Sequence, residues 1–560
     1  NQNVAVGNNA LQSNTGAGNV AIGADALTNS TGGNNVAVGS FALDANTTPS
    51  SNTAVGSNAL TDNTTGVALT ALGYAALGDN TTGGYNTGLG YDALRTNTTG
   101  EYNVAIGTYS CDANTTGGNN TAVGYATLGS NNGSYNTAVG ATALDNNTSG
   151  SYNTAVGRAA LLSNTTSSNS TAVGYDALRN NTYAGNTAIG KAALYTNTGG
   201  YSNVAAGMHS LYTCNGNNNT SIGYYAMELS TTGSQNTAAG AYALDALTTA
   251  NYCEAFGYGA LGNHTTGGSN AAFGSNAALN TTSGFQNVAV GHAAMLTNST
   301  GHSNTAVGFK ALYENNGNSN TVLGHSAAFY MDTGAENVAI GFEALRCASG
   351  QAAHPDNCVA VGYQALKMLL DGSNNVGIGT YAGQQLSTSS SNVAVGFDAL
   401  RYGTTSDANT CLGKDAGKNL TTGNNNTTAG VGAGLGLTTG GNNICIGNHA
   451  GTSGSPSGNI TTGSNNVVLG DNSISNFYCA DTSISSSDKR DKTDVVNFTE
   501  GLSWVNKLNP VTYRWDKRAW YDNNTPDGSK KRNKKHIGFL AQDVLTVEGN
   551  PNKDDMLVVN

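Results

Sequence analysis

The chain has 560 residues, of which 76 are glycine and 6 proline; charged side chains make up 10 % and the formal net charge is -11. This mild acidity offers no basic surface for a nucleic-acid partner, and no apolar run approaches the roughly 20 residues that cross a bilayer, so membrane insertion is not expected. The glycines do not recur at every third residue, which excludes collagen, and the scarcity of charge and proline sets the chain apart from ordinary disordered polymers. Asn1 falls inside a repeat without a preceding Met, so the sequence reads as a fragment, and no signal peptide is visible.

From the first residues the sequence repeats itself. A representative unit is NTGLGYDALRTNTTGEY, with Asn86 at position one and Tyr102 at position seventeen. Position five is always glycine: Gly7, Gly23, Gly39, Gly56, Gly73, Gly90, Gly107, Gly124 and onward to Gly447 and Gly470. The spacing is 16 or 17 residues, lengthening to 21 before Gly362 and 23 before Gly470. About 28 units follow one another. So short a period cannot hold a helical repeat, so each unit is one coil of an all-β parallel solenoid.

The positions within a coil carry expectations. Glycine at five supplies a turn with φ above zero, and the Asn-Thr-Thr-Gly stretch supplies another. Val, Ile or Leu at four and Leu at nine are expected to face inward, with Ala at three and eight leaving room for close packing. Asn at one and twelve stacks into hydrogen-bonded ladders. At about 4.8 Å per coil the array is roughly 130 Å long. Each coil buries little. The Ala-rich face is therefore expected to pack on copies of itself, which makes a parallel homotrimer preferable to a single-chain roll, although the sequence leaves both open.

Tyrosines recur at position six (Tyr74, Tyr91, Tyr125, Tyr175, Tyr224, Tyr258) and position seventeen (Tyr85, Tyr102, Tyr135, Tyr152). Packing from coil to coil explains them first. A glycan-binding stripe through Tyr74, Tyr91, Tyr125, Tyr85 and Tyr102 is the second reading, because ring faces stack on sugars. The eight cysteines show no zinc spacing and read as small buried side chains, although a disulfide between Cys347 and Cys358 would close an insertion. His292 and His325 share position six, but Phe309 lies between them, so no metal and no cofactor are expected. Carboxylates are sparse, and no enzyme signature stands out in the array.

The composition changes near Ser487. Of 23 Lys and Arg, 13 fall in residues 487–560, together with all three tryptophans, Trp504, Trp515 and Trp520. The sequence thus divides into a repeat fibre at 1–470, a polar linker at 471–486, and a different small domain at 487–560. Within the last, VNFTEGLSWVNKLNPVTYRWD predicts a short helix, a turn at Asn509–Pro510 and a strand. HIGFLAQDVLTV predicts a strand running into a helix, and Lys530–His536 (KKRNKKH) reads as a solvated loop.

Units such as NTAVGYDAL and NVAIG resemble the left-handed parallel β-roll repeats of trimeric autotransporter adhesin heads and the repeats of phage and algal-virus tail fibres. The resemblance spans residues 1–470. It implies a homotrimeric fibre displayed outside the cell or on a virion, whose partner is a glycan or protein on a host or neighbouring cell. Each unit is weakly specific; the long array is strongly so.

Three segments in order, SDKRDK (Ser487–Lys492), LNPVTYRW (Leu508–Trp515) and GFLAQDV (Gly538–Val544), resemble the C-terminal intramolecular chaperone of endosialidases and many phage tail fibres. That resemblance implies a small α+β domain that trimerises, sets the register of the fibre and then cuts itself off. By motif, Ser487 is the nucleophile, Lys492 its base and Ser486–Ser487 the scissile bond. A Lys can serve as base when burial or nearby cations lower its pKa. The plain alternative is that Ser487 caps a helix or turn. Two features depart from the pattern: Asp491 stands where an apolar residue is common, and the sequence stops at Asn560, before the helical region that completes the domain.

The leading expectation is a phage or viral tail fibre with a self-releasing chaperone. A bacterial surface adhesin is the alternative, and a fibre-borne glycan-degrading enzyme the third. An adhesin of that kind continues into a coiled coil and membrane anchor, and a depolymerase carries a domain with paired carboxylates. Neither pattern is in the sequence.

Overall fold

The computed structural model describes residues 2–348, 350–476, 478, 501–514, 516, 525–531 and 533–547. The chain divides into two compact units, Asn1–Ser475 and Asn476–Asn560.

The first unit is a parallel β-solenoid. Each coil contributes one three-residue strand, from β1 (Val4–Val6) to β28 (Val467–Leu469), and the 28 strands form one sheet. Neighbouring coils pair in parallel with repeat positions aligned: Thr87 faces Val104, Gly88 faces Ala105 and Leu89 faces Ile106. The two insertions leave this register intact, since Val338 still faces Val359 and Ile444 faces Val467.

Successive strand residues point to opposite faces. The alanine at position three faces the interior and is fully buried, as in Ala21, Ala105 and Ala394. Ala93 and Leu94, at positions eight and nine, complete the core of that coil with no exposed surface. The interior beside the strand is narrow: a Cβ built on Gly377 would stand 2.7 Å from Cγ of Leu366. Position three is alanine in most coils, and Val322, Cys411 and Thr428 are buried there in others. Toward the C-terminus the large aliphatic moves from position nine to twelve, giving the pairs Gly383/Leu386, Gly417/Leu420 and Gly434/Leu437. One leucine per coil is retained, which keeps the core volume level.

This corrects the expected inside-out assignment. The aliphatics at position four do not face inward. They share a face with position two and point outward, with Ile22 40 %, Leu72 46 % and Ile189 49 % exposed. The alanines are the inside of the roll, so no Ala-rich face is left to meet another copy. The cause is the strict alternation of the strand: position three faces the core, so positions two and four face out. Cys347 and Cys358 are also separate free thiols, both buried.

Both asparagine ladders are present. In column one the backbone N–H of Asn52 donates to Oδ1 of Asn35 at 2.9 Å, and Nδ2 of Asn52 donates to the carbonyl of Gly66 at 3.0 Å. In column twelve the side chains bond to each other: Asn80 to Asn63 at 2.9 Å and Asn114 to Asn97 at 2.9 Å. Threonines at position thirteen add a third line, with Oγ1 of Thr81 donating to the carbonyl of Thr98 at 3.0 Å. These bonds satisfy the polar groups that the turns bury.

In the second unit a short helix α1 (Gly501–Val505) leads to β29 (Val511–Tyr513), which pairs antiparallel with β30 (His536–Gly538); α2 (Ala541–Val547) follows. Helix, strand, strand and helix thus occur in the order that the sequence predicts.

Candidate functional site

The outer face of the sheet runs through all 28 strands of the solenoid. Column four holds Val, Ile or Leu in 23 of 28 coils. Column two beside it holds Val, Thr or Ile in all but two. Most of these side chains are half-exposed or exposed, among them Leu323 at 49 % and Ile446 at 45 %. Soluble monomers rarely leave so long an apolar stripe uncovered. The signal for it was the tripeptide Thr-Ala-Val itself: read with a period of two, it places Thr and Val together and Ala opposite.

The turn glycines close each coil next to this face. Gly7, Gly23, Gly39, Gly56, Gly90, Gly107 and Gly124 have φ between 131° and 142°. A Cβ on Gly56 would stand 2.2 Å from the carbonyl oxygen of Gly73 in the next coil. Stacking at this distance therefore demands glycine in every layer, on steric as well as torsional grounds. Positions seven and nine are left-handed too, in most coils without glycine: Asp92 has φ 53° and Leu94 has φ 52°. Such residues cost roughly 1–2 kcal/mol each, and bonds to the next coil, such as Leu94 N–H to the carbonyl of Ser110 at 2.9 Å, offset that strain. The recurrence of Asn and Asp at position seven, as at Asp25, Asn58 and Asp92, is the one signal of it in the residue types.

Aromatic side chains stand in columns on the surface. Tyr85 stacks on Tyr102 with centroids 5.0 Å apart, and Tyr135 on Tyr152 at 4.9 Å. Tyr74 stacks on Tyr91 at 5.2 Å, while Tyr109, at position seven, meets Tyr91 and Tyr125 edge-on at 5.6 and 6.1 Å. In the stacked pairs one face of each ring is turned to its neighbour. Phe309 lies between His292 and His325, 5.4 and 4.9 Å from them, and separates the two imidazoles. Among the described residues no three His, Cys, Asp or Glu side chains are placed to hold a metal ion. Among them, too, no helix is long and apolar enough to cross a membrane.

In the C-terminal unit the structure joins two of the three motif segments. Val511, Thr512 and Tyr513 of LNPVTYRW pair with Gly538, Ile537 and His536 at the start of the GFLAQDV segment. The rings of Tyr513 and His536 stack at 5.6 Å. Ser486, Ser487 and Lys492 lie outside the described residues. Large apolar side chains are open to solvent, Ile537 at 81 % and Leu502 at 73 %. Val544 is buried.

The family model described as chaperone of endosialidase matches residues 487–552. No curated protein matches the chain. No solved structure matches it. A long β-solenoid is thus followed by a region that matches an endosialidase chaperone, a combination that fits a structural protein resembling a tail fibre.

Proposed function

We propose that this chain is the shaft of a phage or viral fibre that works as a homotrimer, held together along the outer face of its sheet and assembled by its C-terminal region. The observation that carries the reading is the junction of a 28-strand solenoid with an endosialidase-chaperone match at 487–552. The exposed aliphatic column supports the trimer, because association would bury a stripe that costs free energy in water. The open apolar surface of the C-terminal unit supports a role in which that unit, too, meets other copies.

In this reading the chaperone domain trimerises first and aligns the three shafts. Ser487 Oγ then attacks the carbonyl carbon of Ser486 while Lys492 takes the hydroxyl proton and passes it to the Ser487 nitrogen as the Ser486–Ser487 C–N bond breaks. The acyl-enzyme ester breaks on attack by water, and the domain leaves. The cut makes assembly irreversible in practice, since the clamp that guided it is gone. The fibre itself carries no reaction; it holds a contact with a glycan or protein on a cell surface.

The test is expression of the full-length gene, followed by intact mass and N-terminal sequencing of the products. The expected result is a fragment that begins at Ser487 and disappears in Ser487→Ala. A single uncut product from correctly assembled fibre overturns the cleavage step, and a light-scattering mass near one 56.6 kDa chain overturns the trimer.

A further inference from the structure

A uniform aliphatic column has a weakness as an interface: sliding one copy by one coil swaps valine for valine and loses only the end layers. The column is not uniform throughout. Its departures from Val, Ile and Leu are Ala206, Ala239, Phe256, Phe273 and Ala429. Column two departs from Val, Thr and Ile only at Glu254 and Ala271. All but Ala429 lie between β13 (Val204–Ala206) and β17 (Ala271–Phe273), and three of them fall in consecutive strands, β15 (Thr237–Ala239) and β16 (Glu254–Phe256) preceding β17.

The two phenylalanines are 38 % and 41 % exposed on the outer face, and their rings stack at 4.9 Å with planes 4° apart. Ala239 stands one coil before them and Ala206 two coils before that, both on the same column. We infer that this segment is the register key of the self-assembled fibre: Phe256 and Phe273 of each copy meet the same residues of the others, and the neighbouring alanine layer gives the rings room. The inference rests on the trimer reading above.

The occupant of this face is a second copy of the same chain. Only a partner with the same coil spacing can follow a column that runs through 28 strands, and a copy has that spacing by construction. In register, phenylalanine layers from all copies cluster, and aromatic pairs gain beyond their buried area. One coil out of register, a ring layer of one copy faces Ala239 or Val290 of another. One ring layer still meets a ring, but the other phenylalanine of each copy does not, so half of the ring contacts are lost and voids open beside the small side chains.

The experiment uses the full chain in two marked forms, Thr137→Cys and Thr154→Cys, co-assembled and treated with a short thiol cross-linker. Thr137 and Thr154 face each other in neighbouring coils, far along the array from the key. Peptide mass spectrometry separates links between like sites, which report register, from links between unlike sites, which report a one-coil slip. Like-site links are expected to dominate. In Phe256→Val/Phe273→Val the unlike fraction is expected to rise about fivefold, the scale set by aromatic pairing, with the assembled mass unchanged. An unchanged ratio in fibre of unchanged mass overturns the register key and leaves the trimer standing. A single-chain mass in the unsubstituted protein overturns the trimer and the key together.

Discussion

Asn97 donates its side-chain Nδ2 to Oδ1 of Asn80 at 2.8 Å, and its own Oδ1 accepts from Asn114 at 2.9 Å, with all three side chains fully buried. Each asparagine therefore serves the coil before and the coil after. Replacing Asn97 with Ala leaves Oδ1 of Asn80 without that donor and takes an acceptor from Asn114. The expected cost is about 2 kcal/mol, felt in adjacent coils because a solenoid is stabilised layer by layer. Hydrogen exchange checks it: amides of residues 80–114 should lose protection while distant coils keep theirs.

Gly90 has φ +138°, and a Cβ there would stand 2.6 Å from the carbonyl carbon and oxygen of Gly107. Gly350 has φ +79° with nothing within 4 Å of its Cβ position. Gly90→Ala should therefore cost more than about 3 kcal/mol and split the array locally, whereas Gly350→Ala should cost about 1 kcal/mol from torsion alone. Chemical denaturation of the two variants side by side separates steric from torsional strain.

His264 takes the place of an asparagine in column twelve. It is fully buried, with Nδ1 3.2 Å from the carbonyl of Thr281, Nε2 against the carbonyl of Gly267 and 3.4 Å from Nδ2 of Asn270, and Sγ of Cys253 3.7 Å away. Burial lowers its pKa below the ordinary value. A histidine held neutral in the fold but free to charge when unfolded contributes stability that is full above about pH 6.5 and falls away as the pH drops below it. His264→Asn should flatten the loss of local stability between pH 7 and pH 5, read by hydrogen exchange at both values.

Burial pushes the Cys411 thiol up to about 12 and that of Cys253 to about 11. Unfolded thiols ionise near pH 8.5, so above that pH the unfolded chain releases protons that the fold retains. Stability should be full below about pH 8.5 and decline as the pH rises toward 11–12. Cys411→Ala should reduce the decline measured by denaturant titration at pH 8 and pH 10, and alkylation of the native protein at pH 8 should leave Cys411 unmodified.

Ile189 is 49 % exposed on column four. In an isolated roll Ile189→Glu should change stability by less than about 0.5 kcal/mol. In the proposed trimer it brings buried carboxylates together and should reduce the assembled fraction at least tenfold. Light scattering across a dilution series distinguishes these outcomes.

The sequence alone determined the coil. A fixed period with invariant glycine at position five admits one repeating path, and stacking like on like explains why Asn35 meets Asn52 and Asn80 meets Asn97. It also marked where the array ends, because Trp504 and the lysines of 530–535 belong to a different composition. Tertiary structure decided which way the strand faces. Thr-Ala-Val alternates whichever side is the core, and only the burial of Ala21, Ala105 and Ala394 beside the exposed Ile22 and Leu72 shows which side faces in. The same is true of the left-handed backbone at Leu94: its residue type argues against that conformation, and only the hydrogen bond to the next coil and the buried side chain hold it there.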